Sequence, residues 1–157
     1  MRRKEREIAR EDALALLDVM EYGVLSLVDS DGSPYGVPVN HARDGHTLVL
    51  HGAIIGRKMD CIRHGSRVSY CVVGNAEPVR EKFTTRYESV IVSGRAELVE
   101  DAGQKMKWLM KLCERFAPEN RSNHLDAAKA VAGKFMKETG IILVTMESIT
   151  GKANRTT

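Results

Sequence analysis

Residues 51–60, with the sequence HGAIIGRKMD, combine two glycines with two adjacent cations where a helix is predicted to begin. Backbone N–H groups and the positive end of the helix dipole attract anions at such a place. Arg57 and Lys58 add charge, and Gly52 and Gly56 let a ligand approach the backbone closely. The pattern indicates a phosphate site, although two cations beside a glycine are also typical of a solvated helix start.

Two histidines are the next candidates for chemistry. His51 ends a predicted strand and His41 lies on the strand before it, so the imidazoles could lie close together across a hairpin. Imidazole is a common axial ligand of haem iron, whereas a structural, partly buried histidine is the other interpretation of His51. No third ligand follows at a metal-typical spacing and HExxH is absent, so no metal site is predicted.

Other catalytic patterns are weak or missing. Cys61 and His64 share a predicted helix three residues apart, which could lower the pKa of the thiol, but Cys61 could equally just pack the helix. The polar segment 84–89 (TTRYES) offers hydrogen-bond donors, including Tyr87 and Ser89, or is simply a polar strand start. GxSxG, the P-loop lysine motif and GxGxxG do not occur, which disfavours hydrolases and nucleotide-binding enzymes of those types.

Composition bounds the remaining possibilities. With 157 residues, 43% of them hydrophobic and 29% charged, the chain is expected to form one soluble domain over residues 1–157. A net charge of +3 with 5% aromatic residues argues against nucleic-acid binding, and the apolar runs are too short for a membrane helix. The basic N-terminus is predicted to be a solvated helical start rather than a signal peptide. The three cysteines lack CxxC spacing and are expected to stay reduced. The cytoplasm is therefore the expected compartment.

Hydrophobic periodicity predicts the elements that position these residues. Helices are expected over 5–21, over 56–64, through Leu109, Leu112, Cys113 and Phe116 before Pro118, and from Ser122 to Gly140. Strands are expected over 23–28, 34–42, 47–51, 67–73, 86–99 and 141–147. Asp-Gly pairs at 31–32 and 44–45 are typical of hairpin turns, so the sheet should be antiparallel.

Two features of the predicted strands bear on their shape. Pro34 and Pro38 cannot donate to a ladder, so strand 34–42 should have an edge or an irregular stretch where backbone groups stay free. Gly94, in the middle of the longest predicted strand, indicates a bulge or a sharp bend of the kind that curls a sheet. An antiparallel barrel with helices packed outside it fits this order of elements best.

Taken in order along the chain, these segments resemble the FMN-binding split β-barrel superfamily related to pyridoxamine phosphate oxidase. Within it the chain is most similar to the Nim-type nitroimidazole resistance proteins. The matching segments are 31–38 (DGSPYGVP), 50–53 (LHGA), 56–58 (GRK), 72–74 (VVG), 85–90 (TRYESV), 94–99 (GRAELV) and 149–152 (ITGK). They run through nearly the full chain in the family's order.

The resemblance implies a mainly β, antiparallel, Greek-key-like split barrel that forms a homodimer with FMN at the subunit interface. It implies reduction of a small-molecule substrate, for Nim-type proteins a nitro group. Arg57 and Lys58 would hold the FMN phosphate, and His51 is the candidate catalytic residue. The other implied cofactor-binding residues are Val37, Pro38, Val39 and Asn40 against the flavin ring, His51 and Gly52 beside the ring or ribityl chain, Ser89 and Tyr87 near the flavin, and Lys152 from the partner subunit.

The chain also departs from the oxidase branch of that superfamily. Where that branch has a basic residue and two hydroxyl residues, this chain has His41, Gly52 and Gly56. Fewer side chains are therefore available to bind a phosphate, and pyridoxamine phosphate oxidation is less expected. The open alternatives are an oxidase-like enzyme, an oxidoreductase for another small molecule, a flavin- or haem-binding protein without turnover, and a barrel that has lost its cofactor.

Overall fold

The computed structural model describes residues 2–116, 133 and 136–155. The described strands are β1 (Glu7–Ile8), β2 (Tyr22–Val28), β3 (Pro34–Asp44), β4 (Thr47–Ala53), β5 (Arg67–Val73), β6 (Glu77–Val79), β7 (Thr84–Val99) and β8 (Thr139–Asn154). The described helices are α1 (Arg10–Val19), α2 (Arg57–His64) and α3 (Ala102–Phe116), with short 3-10 turns at Lys4–Arg6 and Arg80–Lys82. None of the helices in the described ranges has the length and apolar character needed to cross a lipid bilayer.

The strands form an antiparallel sheet that closes on itself. β2, β3 and β4 follow one another as hairpins, and β5 returns beside β2, which gives the spatial order β5-β2-β3-β4 of a Greek key. β4 pairs with β8 and β5 pairs with β7. The β7–β8 ladder then closes the ring, so the predicted antiparallel, Greek-key-like barrel is confirmed.

The closing ladder bends at a single place. Ser93 pairs with Ser148 but Gly94 pairs with Met146, so Glu147 is left over as an extra residue on β8. A Cβ atom on Gly94 would lie 2.1 Å from the backbone oxygen of Thr145, closer than side chains ever approach. The irregularity predicted at Gly94 is therefore confirmed. Glycine is needed there because the backbones of β7 and β8 are too close to leave room for a side chain.

The barrel interior is filled by residues that alternate along the strands. In β2 every second residue is buried, as expected for a strand with one face in the core. Helix α1 contributes Ala13 and Leu17 to this core, and α2 contributes three side chains of its own. A smaller cluster lies outside the barrel, where Leu109 and Leu112 of α3 pack against Ala42 and Val49.

Two of the predicted elements have different bounds in the structure. The helix expected over 5–21 is shorter, because Glu7 and Ile8 pair with Lys152 and Gly151 of β8 and the helix begins only at Arg10. The basic residues before β1 form a short 3-10 turn that is exposed except at the half-buried Arg6, as expected of a solvated helical start. The last strand is longer than 141–147, because it continues along β7 as far as Asn154.

The helix predicted from Ser122 to Gly140 lies almost entirely outside the described residues. Near its expected end, residues 136–138 form a turn and β8 has already begun at Thr139. The preceding helix, expected before Pro118, is confirmed as α3.

Candidate functional site

The barrel is split between β3 and β4. Residues 34–40 of β3 pair with β2 along their whole length, whereas only residues 41–44 pair with β4. Beyond the pair His41–Leu50 the two strands separate, and β4 stays with β8 up to Ala53. The free edge predicted from Pro34 and Pro38 is therefore present, and we call this opening the split.

Backbone groups of β3 line the split. The His41 N–H donates to the carbonyl oxygen of Glu21, 3.3 Å away on the β2 side. Because backbone groups alternate along a strand, those of Gly36, Pro38 and Asn40 point away from β2 and into the split. Pro38 brings only a carbonyl acceptor, while Gly36 and Asn40 bring both an N–H and a carbonyl. The edge therefore offers donors and acceptors of the kind that a heterocyclic ring with several polar atoms requires.

Helix α2 begins at one end of the split with the two predicted cations. Gly56 precedes the helix with a φ of 140°, a conformation that favours glycine. The Arg57 Nε–H donates to Asp29 Oδ2 at 2.7 Å, and the guanidinium carbon lies 4.6 Å from the ring centroid of Tyr35. Arg57 is thus held at the turn between β2 and β3, next to the start of the free edge.

Lys58 occupies a space that Gly52 leaves open. Its ammonium nitrogen lies 3.4 Å from the carbonyl oxygen of His51, and a Cβ on Gly52 would lie 2.4 Å from that nitrogen. Burial lowers the pKa of Lys58, because the half-buried ammonium has lost part of its hydration. Burial and then the charge of Lys58 lower the pKa of His51, which favours a neutral imidazole at the end of β4.

His41 does not join His51. Its ring is 1% exposed inside the barrel, opposite the buried Leu50, whereas His51 follows Leu50 and so points to the other face. His41 Nε2 donates to the carbonyl oxygen of Leu17 at 2.7 Å, and Nδ1 lies 2.9 Å from the Tyr70 hydroxyl. The expectation that the two imidazoles lie close together is wrong, because His41 pairs with Leu50 and the side chain of His51, one residue later, points to the opposite face of the sheet. Both ring nitrogens of His41 already have hydrogen-bond partners, so neither is open to iron.

A second group of predicted residues lies near the other end of β8. Ser89 pairs directly with Lys152, and the Lys152 ammonium lies 5.8 Å from the ring centroid of Tyr87. Burial raises the pKa of Tyr87, but Arg6 and Lys152 beside the phenol lower it by more, so it lies below its ordinary value. Sequence reasoning missed Arg6, because the only signal was a basic segment and nothing in its periodicity predicts that β1 pins it beside Tyr87.

Within one chain the two groups lie at opposite ends of β8. Gly52, beside Lys58, pairs with Gly140, and Lys152 lies 12 residues farther along β8. At about 3.3 Å per residue this is a path of about 40 Å along the strand. Of the remaining predicted residues, Val39 is buried in the barrel, Val37 is half-buried, and Pro38 and Asn40 are exposed on the outer face.

The outer face of β2, β5 and β7 is apolar where it would ordinarily meet water. Val24, Cys71 and Ile91 follow one another across three paired strands on this face. The large apolar side chains there, between 41% and 61% exposed, are Tyr22, Val24, Val28, Val73 and Ile91. A contiguous exposed apolar patch of this kind is typical of a surface that binds another molecule.

The structure does not support an activated Cys61, and the described residues hold no cluster of metal ligands. Cys61 is buried, and burial raises the pKa of its thiol, which is the opposite of activation by His64. Cys61, Cys71 and Cys113 are all free thiols. In the part of the chain that the structure describes, no three His, Cys, Asp or Glu side chains lie close enough together to hold a metal ion.

The chain matches one protein family in sequence and several solved structures in fold. The family model described as pyridoxamine 5'-phosphate oxidase matches residues 9–153. A candidate 5-nitroimidazole antibiotic resistance protein from Bacteroides thetaiotaomicron is similar in structure, with a TM-score of 0.75 and 21% identity over 93% of this chain and 85% of that one.

Two further structures of the same fold come from proteins described by their cofactors. The FAD- and haem-binding protein from Mycobacterium smegmatis has a TM-score of 0.80 and 22% identity over 96% of this chain and 74% of that one. The flavocytochrome Anf3 from Azotobacter vinelandii has a TM-score of 0.78 and 20% identity over 94% and 68%. No curated protein matches the sequence significantly.

Proposed function

The chain belongs to the pyridoxamine 5'-phosphate oxidase family, and from this membership and the split we propose that it is a homodimeric, FMN-binding oxidoreductase. The substrate is a small molecule such as a nitroimidazole. The observation that carries the proposal is the placement of Arg57 and Lys58 at the start of α2, at one end of an unpaired β3 edge. The similar structures described as flavin-binding, and the one described by nitroimidazole resistance, support the choice of cofactor and substrate.

The residues present fit a flavin mononucleotide. The space beside Gly52 accepts the Lys58 ammonium, so a cation and the N–H groups of the first turn of α2 can meet a phosphate. The β3 edge supplies backbone donors and acceptors for a flavin ring, with Val37, Pro38, Val39 and Asn40 along it. His51 and Gly52 flank the same opening from β4. Phosphate and ring therefore find suitable groups at the two ends of one opening.

Dimerisation would complete the site. Ser89 and Tyr87 on β7, and Lys152 beside them on β8, lie at the opposite end of β8 from Gly52 and Lys58, so we infer that one chain does not bring both groups to the same FMN. In a symmetric dimer, that group on one protomer can meet the split of its partner. The apolar outer face of β2, β5 and β7, which carries Ser89 on its rim, is the surface we assign to this contact.

The protein would mainly bind and orient the cofactor. Bound FMN supplies hydride and electron transfer between a reduced donor and the substrate. His51 is the candidate catalytic residue, because its lowered pKa keeps the imidazole neutral and able to accept a proton. Arg6 and Lys152 hold positive charge near Tyr87, which favours an electron-rich or anionic atom at that position.

A haem-binding protein is the second candidate function. His51 is solvent-accessible and favours the neutral form that binds iron, and two proteins of similar fold are described as haem-binding or as a flavocytochrome. The flavin assignment is preferred because the cations and helix start at Arg57 and Lys58 suit a phosphate, which haem lacks.

The test is a visible absorbance spectrum of the purified protein with and without added FMN, followed by gel filtration with light scattering. We expect flavin bands that co-elute with protein of twice the chain mass of 17.4 kDa, and flavin-dependent loss of a nitroimidazole when a reduced nicotinamide is added. A Soret band would favour haem. Protein that takes up no FMN would contradict the proposal, and a monomer at micromolar concentration would contradict the shared site.

Gly52→Ala tests the space occupied by Lys58. The added methyl group would displace the ammonium from its place beside His51, so FMN affinity should fall by about 10-fold, the effect of weakening one charge-assisted contact. The melting temperature should change little, because the flexible end of Lys58 can move away. Fluorescence titration with FMN and a thermal melt measure the two effects, and unchanged affinity would argue against Lys58 as a phosphate ligand.

A further inference from the structure

Asp29 uses its two carboxylate oxygens for two different tasks. Oδ1 accepts a hydrogen bond from the backbone N–H of Ser30 at 2.8 Å, within the turn that joins β2 to β3. Oδ2 accepts the Nε–H of Arg57 at 2.7 Å, across 28 residues of chain. The Ser30 hydrogen bond, and then Arg57, lower the pKa of Asp29, so the carboxylate stays charged. The β2–β3 turn therefore holds the Asp29 carboxylate in place, and this carboxylate holds Arg57 in place.

Arg57 is restrained on two sides. Asp29 binds the Nε edge of the guanidinium, and the Tyr35 ring lies 4.6 Å from its central carbon. An arginine carries five N–H donors, and its hydrogen bond to Asp29 uses one of them, so among the described residues both Nη groups remain for a ligand. An arginine that is already ordered loses less side-chain entropy when it binds a phosphate.

We propose that Asp29 is a positioning residue that holds Arg57 ready for the phosphate of the flavin nucleotide. The proposal rests on the proposed function and adds to it a residue that does not touch the cofactor. It also carries a cost, because Asp29 places a negative charge near a site that would bind a phosphate of about −2. Arg57, Lys58 and Asp29 together carry a formal charge of +1. The sign of the effect of removing Asp29 therefore shows which contribution is larger.

The experiment compares FMN with riboflavin, which lacks the phosphate. In Asp29→Ala we expect FMN affinity to fall by about 5-fold, the effect of leaving one long side chain unrestrained, while riboflavin affinity stays unchanged. Asp29→Asn keeps an oxygen acceptor for Arg57 and should keep FMN affinity within about 2-fold of the wild type. Fluorescence titration of the full-length protein measures all of these affinities.

Asp31→Ala is the matched control. Asp31 lies in the same turn and accepts the Ser33 N–H at 2.8 Å, whereas the ion pair of Arg57 is made with Asp29. FMN affinity should be retained in this variant. Equal losses in Asp29→Ala and Asp31→Ala, or equal losses of FMN and riboflavin, would reduce Asp29 to a turn residue and overturn the proposal.

Two other outcomes are decisive. FMN binding that is unchanged or tighter in Asp29→Ala would show that repulsion is at least as large as positioning, and would also overturn the inference. Failure of the wild-type protein to bind FMN in the same titration would overturn the proposed function and this inference with it. If the wild-type protein binds FMN and only the predicted weakening in Asp29→Ala is not seen, the proposed function stands and this inference alone fails.

Discussion

Replacing Arg57 and Lys58 together with alanine is expected to weaken FMN binding by about 100-fold or more. The double variant removes both cations at the start of α2, and charge-assisted hydrogen bonds to a phosphate each contribute a factor of about ten or more to affinity. Riboflavin binding should change little, because the ring contacts along β3 remain. Isothermal titration calorimetry with FMN and with riboflavin gives both affinities.

Arg63→Ala is the matched control for that experiment. Arg63 lies on the same helix but forms an ion pair with Asp60 on the exposed face, away from the split. It should leave FMN affinity unchanged while altering the charge of α2 by one unit. Retention of full FMN affinity in the double variant would place the phosphate elsewhere.

The second large effect concerns stability. Gly94→Ala is expected to lower the free energy of unfolding by about 3 kcal/mol, at the upper end of the cost of overpacking. The new methyl group would meet the backbone oxygen of Thr145 at 2.1 Å, and relief requires the β7–β8 ladder to open at its bulge. Urea denaturation followed by circular dichroism measures the change.

Gly65→Ala provides the comparison. Gly65 ends α2 with φ −153°, which any residue adopts, and no atom of the described residues lies within 4 Å of the place that a Cβ would take. Its stability should stay within about 1 kcal/mol of the wild type. Similar stabilities of the two variants would mean that β8 can shift to accommodate a side chain at Gly94.

Local patterns in the sequence predict much of the fold. Asp-Gly pairs predict the hairpins, and Gly32 and Gly45 indeed have φ values of 84° and 57°. Alternation predicts β2 and β5 nearly to the residue, because each strand has one face in the core. The two prolines predict the free edge of β3. These features depend on a few neighbouring residues, so one sequence is enough to find them.

Contacts between distant segments are what local patterns cannot supply. The two-residue strand β1 has no periodicity, and only the available edge of β8 makes it a strand. Asp29 has the sequence context of an ordinary turn residue, and its ion pair with Arg57 follows from the packing of α2. His41 is buried because β3 turns that side chain inward, which becomes visible only once its pairing with Leu50 is known.

The β7–β8 ladder has a consequence for how the chain reaches its native state. Its paired residues are separated by 42 positions at Val99–Ile141 and by 67 at Tyr87–Asn154, and β8 also covers β4. Until residues 139–154 are in place, β4 and β7 are two open edges able to pair with other chains. Folding dominated by such distant pairs is slow. The aggregation hazard of this protein therefore belongs to the interval before its last strand docks, and holdase chaperones or low concentration would matter most then.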